Sequence, residues 1–300
     1  MGKLFASADI GSNTVHLLVA QVQPNGLQRV VNESVWLSLG EVVSRTGTIP
    51  TPDRIRLIET LTRFRNICQE YKCEKFYVFA TEAMRRADNH DAILNELRTK
   101  HKVPVEIISP QREAALSVLA AGIDCPGPDP WVMTEAGGGS VQVAWVEQGI
   151  IQHEISLPLG TGVLTAQSGL RHPASAGQIA AIEDRIDSEI ARFDLGIPQR
   201  IVACGGVIRG LWRALHPDGD RVLHRRELEF LAWDTQRLRP EQTVSRYGVK
   251  LKRAETLLPG SLLFQRLLTK FGQDTLTVSQ YGVREGAILE MVRGAEEWLT

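Results

Sequence analysis

One pattern occurs twice in this chain, and its recurrence constrains the fold more than any other feature. The stretches ADIGSNTVHLLVA (residues 8–20) and TEAGGGSVQVAWV (134–146) superimpose without a gap. Asp9 falls on Glu135, Gly11 on Gly137, Thr14 on Ser140 and Val15 on Val141. Alternating apolar positions continue on both sides of the bend, the period of strands in a half-buried sheet. A tight turn would be satisfied by Asn-Gly alone, so an acid and several small polar residues at the bend need another reason. Each copy opens a run of three strands. A duplicated domain explains both the repeat and a length of 300 residues, which exceeds a usual single core.

The first half reads as strands at 4–8 and 15–21 and a third near 27–31. A helix follows, starting at Thr51-Pro52-Asp53 with Thr51 as cap and proline in the first turn, and carrying Ile55, Ile58, Leu61 and Ile67 on one side. KFYVFA (75–80) and VEIIS (105–109) have the composition of short buried strands, and REAALSVLAAG (112–122) that of a small-residue helix. This order is mixed α/β. DCPGPDP (124–130), with three prolines in seven residues, is the best linker. The expectation is two domains, 1–124 and 125–300, with the last helix free to pack back on the first. Each would hold a five-stranded mixed sheet, and the two hairpins, Asp9 in one and Glu135 in the other, would face each other across an interdomain cleft, a favoured place for a small ligand.

The bends read as anion sites. Gly137, Gly138 and Gly139 leave their backbone N–H groups unobstructed, which makes a nest for anionic oxygens. Ser12, Asn13, Thr14 and Ser140 add hydroxyl and amide donors. Asp9 and Glu135 would repel a bare phosphate, yet they make sense if a divalent cation bridges them to it, since Mg²⁺ takes one or two carboxylates and fills its octahedron with waters and phosphate oxygens. A pair of ordinary turns is the bland alternative, and the duplication weighs against it.

Composition narrows the partners. With 34 Lys plus Arg against 35 Asp plus Glu, no global field draws the chain to nucleic acid or a membrane surface, so an anionic ligand must be bound locally. Nothing resembles a secretion signal or a membrane span, and Cys68, Cys73, Cys125 and Cys204 lack C-x-x-C metal spacing, which fits a reduced cytoplasmic setting. The histidines have no ligand spacing either; His16 alone stands where it could point at the first bend.

A series of motifs in order then resembles the exopolyphosphatase and guanosine pentaphosphate phosphohydrolase family, of the actin, sugar kinase and heat-shock ATPase superfamily. ADIGSNTVHLLVA is similar to that family's first phosphate motif, ATEAMRRADN (80–89) to A-T-x-A-x-R-x-A-x-N, IISPQREAAL (107–116) to I-I-S-G-x-E-E-A-R-L, and EAGGGSVQ (135–142) to D-I-G-G-G-S-T-E. LGEVVSRTG (39–47), SLPLGTGVLT (156–165), CGGVIRGL (204–211), RAETLLPG (253–260) and SQYGVREG (279–286) complete the series. The resemblance implies two duplicated ribonuclease H-like domains and Mg²⁺-dependent release of a terminal phosphate from inorganic polyphosphate or guanosine pentaphosphate. It implies a catalytic base at Glu113, a carboxylate able to take a proton from an attacking water. Phosphate contacts would come from Gly11, Ser12, Asn13, Thr14, Arg85, Gly137, Gly138, Gly139 and Ser140, and metal contacts from Asp9, Glu135 and Gln142. It also admits a homodimer.

The chain departs from that pattern where chemistry is expected. Glu135 replaces an aspartate, and Gln142 a glutamate, keeping an acceptor but losing a charge. Arg112 stands for the first glutamate of E-E-A-R and Ala115 for its arginine; Val163 and Ser38 also replace arginines, and Val207 a threonine. The track is less basic than a long polyanion would favour, which points to a smaller substrate or a slower enzyme. A phosphate- or nucleotide-binding sensor of the same fold is the alternative.

Overall fold

The apolar alternation of the first forty residues is realised as an antiparallel meander. The computed structural model describes residues 2–24, 26–217 and 219–296. β1 (Leu4–Ile10), β2 (Thr14–Gln23) and β3 (Gly26–Trp36) pair in sequence, followed by α1 (Leu39–Thr46) and α2 (Thr51–Glu70). Then come β4 (Lys75–Ala80), α3 (Glu82–Arg86), α4 (His90–Thr99), β5 (Glu106–Ile107) and α5 (Pro110–Asp124). β4 lies parallel to β1, and β5 parallel to β4, so the sheet order is β3-β2-β1-β4-β5. Its core gathers Ile10, Leu17, Leu57, Leu61, Phe64 and Met84, all fully buried.

The second half repeats the plan. β6 (Trp131–Ala136), β7 (Val141–Glu147) and β8 (Ile150–Leu157) form the meander, followed by α6 (Thr161–Ser168), α7 (Ala176–Ile190), β9 (Arg200–Cys204) and α8 (Gly205–Leu215). β10 (Val222–His224), α9 (Arg225–Thr235), α10 (Pro240–Tyr247), α11 (Leu251–Lys270) and β11 (Thr275–Val278) complete it. The order β8-β7-β6-β9-β11 mirrors the first sheet, and β10 adds an antiparallel sixth strand at the edge where five were expected. The repeat extends to an irregularity. Register slips between Val19 and Ala20 in one hairpin and between Trp145 and Val146 in the other, positions that coincide in the gapless superposition. A bulge bends its strand and strengthens its twist, so the duplication preserves strand curvature as well as order.

By contacts the chain forms two units, 1–123 with 281–300, and 124–280. The second unit is therefore inserted into the first, and the boundary expected at 124/125 is only the first of two crossings. α12 (Val283–Glu296) returns to the first sheet, where Ile288 is buried with Phe5, Leu18 and Ala20. It also lies against α5 so closely that a Cβ on Gly286 would stand 1.9 Å from the Leu116 carbonyl oxygen. At the crossing, the Asp124 carboxylate accepts from Arg221 Nη1 at 2.7 Å, Ser279 Oγ at 2.9 Å and the Gln280 N–H at 2.8 Å.

Two local expectations change. α2 is capped at Pro50, one residue before Thr51, and its buried face is Leu57, Ile58, Leu61, Phe64 and Cys68, while Ile55 is half exposed. α1 was not foreseen: it is short, contains Gly40 and starts after Ser38 in a left-handed conformation, so it lacks the usual start signal. Among the described residues no helix is long and apolar enough to cross a membrane.

Candidate active site

Each hairpin bend is closed by one bond, from the Gly11 N–H to the Thr14 carbonyl at 3.0 Å in the first unit and from the Gly137 N–H to the Ser140 carbonyl at 2.9 Å in the second. What the bends do with their other carbonyls decides their chemistry. In the second unit, Gly137 C=O accepts from the Thr161 N–H at 3.0 Å, Gly138 C=O from Gly162 at 2.9 Å and Gly139 C=O from Gly160 at 3.2 Å. The bend thus caps the N-terminus of α6, supplying acceptors to amides that have no partner within the helix. In the first unit, Ser12 C=O accepts from Gly40 at 2.8 Å, and Asn13 C=O from Leu37 and Ser38, both at 3.0 Å, at the start of α1.

The carbonyl and N–H of a trans peptide point in opposite directions. Tying the carbonyls to α6 therefore turns the N–H groups of Gly138, Gly139 and Ser140 away from that helix. The same reasoning turns those of Asn13 and Thr14 away from α1. Such rows of N–H groups can donate to anionic oxygens. Small residues permit the approach: a Cβ on Gly160 would lie 2.3 Å from Gly138 C and 2.4 Å from Gly139 C, and one on Gly40 would lie 2.7 Å from Ser12 Cβ. Ser38-Leu39-Gly40 and Gly160-Thr161-Gly162 are thus a second duplicated element, legible in hindsight as glycines just after each third strand.

The carboxylates sit at the strand ends feeding these bends. Asp9 pairs across the hairpin with His16, its oxygens lie 3.7 and 3.9 Å from where a Gly11 Cβ would be, and Thr14 Oγ1 meets His16 Nε2 at 2.6 Å. Ser12 Oγ donates to Glu82 Oε2 at 2.8 Å, a partner that sequence reasoning missed because α3 is too short to show a period. Glu82 also receives Arg86 at 2.8 Å. In the second unit Glu135 pairs across the hairpin with Gln142 and packs against Gly205, which takes φ +91°. Gln142 is 1% exposed and donates from Nε2 to Ser140 Oγ at 3.0 Å, so it braces the bend from inside the hairpin.

Glu113 occupies the first turn of α5, where the helix dipole favours a carboxylate, and Ser109 Oγ accepts from the Arg112 N–H at 3.1 Å to cap the start. Arg85 donates to Glu113 Oε2 at 3.3 and 3.4 Å and to the Ile108 carbonyl at 2.6 Å. Expected as a phosphate ligand, Arg85 is therefore also the partner that orients the expected base. Arg112 turns elsewhere and forms an ion pair with Glu290 of α12.

A sequence profile of the Ppx/GppA phosphatase family matches residues 18–295. The chain belongs to this family. As a Ppx/GppA phosphatase it is an enzyme, a phosphoanhydride hydrolase by family, with a mixed α/β fold of two actin-like domains. It is similar to exopolyphosphatase 1 of Mycobacterium leprae, 26% identical over 94% of this chain and 87% of that protein. It is similar in structure to the Aquifex aeolicus member of the Ppx/GppA family, with a TM-score of 0.87, 26% identity and 98% of both chains covered. The Cytophaga hutchinsonii exopolyphosphatase shares the fold at a TM-score of 0.87 and 21% identity, with 97% of this chain and 98% of that one covered. Within this Ppx/GppA member, Ser12 and Thr14 in one unit, and Gly138, Gly139 and Ser140 in the other, stand on the bends themselves. Arg85 and Glu113 meet on a different pair of helices, in the first unit.

Proposed function

We propose that this chain removes the terminal phosphate from a short phosphoanhydride chain, with inorganic polyphosphate as substrate and guanosine pentaphosphate as the competing candidate. The observation that carries the reading is the Arg85–Glu113 pair at the start of α5. Arg85 fixes one carboxylate oxygen, and Glu113 takes a proton from the water that attacks the terminal phosphorus. The N–H row of each bend, with Ser12 and Thr14 in the first unit and Ser140 in the second, offers donors to phosphoryl oxygens, and donors already aligned need no reorganisation as charge moves to the leaving phosphate.

Mg²⁺ fits the donor set without a dedicated cage. Mg²⁺ takes one or two carboxylates and fills its octahedron with waters and substrate phosphates, which suits the one acid at each bend. Asp9 and Glu135 would hold it, and when bound it would neutralise phosphate charge. Gln142, engaged with Ser140, serves the bend. The loss of charge at Gln142 also favours a second reading, a phosphate-binding sensor with slow turnover.

Phosphate release from polyphosphate of defined length and from guanosine pentaphosphate, with Mg²⁺ and with a chelator, tests the proposal. Hydrolysis is expected to need Mg²⁺ and to fall about 10²- to 10⁴-fold in Glu113→Gln while phosphate binding persists. Binding without release in the wild type would select the sensor, and an unchanged rate in the variant would place the base elsewhere.

A further inference from the structure

Two thiols lie at the C-terminal end of α2, Cys68 in its last turn and Cys73 just past it. The Cys73 N–H donates to the Cys68 carbonyl at 2.9 Å and the Lys72 N–H to the Gln69 carbonyl at 3.0 Å, while Lys72 takes φ +53°. These are the two reversed bonds of a Schellman helix end, with lysine in the left-handed position that glycine usually fills. Such ends commonly bring the residue after the left-handed one against the last turn of the helix, and here those two places hold Cys73 and Cys68. The single backbone bond between them keeps their Cα atoms within about 7 Å by bond lengths alone, within reach of disulfide geometry.

Both thiols are free, and Cys68 belongs to the first unit's core cluster, against which Cys73 packs. Their surroundings differ. Cys68 is 4% exposed in the last turn of α2, where the helix carbonyls oppose a thiolate; donation to Cys73, together with burial, pushes its thiol far above the ordinary range. Cys73 lies past the helix end and is half-buried, and the bond it receives from Cys68 lowers its thiol below the ordinary value.

We propose that Cys73 and Cys68 form a reversible dithiol modification site, with Cys73 as the attacking thiol, Cys68 as the resolving thiol and a hydroperoxide as the oxidant. The Cys73 thiolate attacks the terminal hydroxyl oxygen, the O–O bond breaks, the other oxygen leaves as hydroxide from hydrogen peroxide or as alkoxide from an organic hydroperoxide, and Cys73 becomes a sulfenic acid. The Cys68 sulfur then attacks the Cys73 sulfur, the S–O bond breaks, and the Cys68 proton leaves with the hydroxyl as water. Two electrons pass from the sulfurs to the peroxide, and exchange with an external dithiol restores both thiols.

Trypsin provides the readout, because cleavage after Arg65, Lys72 and Lys75 puts Cys68 and Cys73 on separate peptides, 66–72 and 73–75. Native protein treated with hydrogen peroxide, alkylated and digested is expected to yield these two peptides joined, lighter by two hydrogens than their sum, and separated again by dithiothreitol. In Cys68→Ala the intermediate has no resolving thiol, so dimedone is expected to label Cys73. Recovery of both wild-type peptides singly alkylated after peroxide would overturn the proposal. Dimedone on Cys125 or Cys204 of Cys68→Ala, with Cys73 unlabelled, would overturn it as well.

Discussion

Arg85 sends Nη1 and Nη2 to the same oxygen of Glu113, at 3.4 and 3.3 Å, and Nη1 also reaches the Ile108 carbonyl. One guanidinium thereby joins α3, the segment after β5 and the first turn of α5. A lysine offers a point charge on a flexible stem and cannot keep both contacts. Arg85→Lys is expected to lower kcat about tenfold, a loss of ~1.4 kcal/mol in the transition state, with little change in KM. Steady-state phosphate release checks it; a rise in KM at unchanged kcat would instead assign Arg85 to substrate phosphate.

Gly160 lies against backbone that cannot step aside. Gly160→Ala puts a Cβ 2.3 Å from Gly138 C and is expected to cost ~1–3 kcal/mol and to weaken phosphate binding, since the bend must move. Gly177→Ala is the control, because no atom lies within 4 Å of that Cβ and the residue is helical; it is expected to be neutral or to stabilise by up to about 1 kcal/mol. Urea unfolding of both variants measures the difference.

Gln142→Glu places a carboxylate where a buried amide now donates to Ser140. Without metal the variant is expected to lose ~1–3 kcal/mol, the scale of a buried polar group deprived of its bond. Mg²⁺ is expected to recover part of that loss if Glu135 and the new carboxylate share the ion, and to sharpen the Mg²⁺ dependence of hydrolysis. Melting curves with Mg²⁺ and with a chelator are decisive: an equal deficit in both would leave the introduced carboxylate outside any metal site.

Acid is expected to weaken the second unit through His172. Burial lowers its pKa, with the Glu255 charge acting in the opposite sense, so the folded protein binds this proton less readily than the unfolded chain. The stability is therefore complete above about pH 6.5 and is lost as pH falls from there toward the lowered folded value. Comparing urea midpoints at neutral pH and about one unit below the unfolded pKa, His172→Gln is expected to show a smaller drop than the wild type.

Local signals carried the duplication and the bends because Asp9, Gly11, Thr14 and their counterparts lie within a few residues of one another. The strand at 75–80 was legible for the same reason, an unbroken apolar run between turn signals. Pairings across the sequence were not. Arg85 and Glu113 are 28 positions apart, and Ser12 and Glu82 are 70 apart, so only the parallel placement of β4 beside β1 brings them into range. The stripe of α2 was misplaced because Arg54, Arg56 and Arg63 interrupt it and Ile55 supplies an apolar residue on the wrong face. The sixth strand is only three residues long, too short to show an alternation even though Pro217-Asp218-Gly219 precedes it.

The insertion of one unit into the other also fixes the order in which a cell can finish this protein. β1 and β2 emerge before the second unit, but the helix that covers Phe5, Leu18 and Ala20 is encoded after the whole of 124–280. At the usual pace of synthesis the ribosome takes roughly ten to thirty seconds to traverse that interval. For that time the oldest strands wait with an uncovered apolar face, and the younger unit has all of its chain before they are covered. A helix made after the second unit completes a sheet begun before it, so a nascent chain stalled inside the second unit displays the kind of apolar surface that chaperones bind.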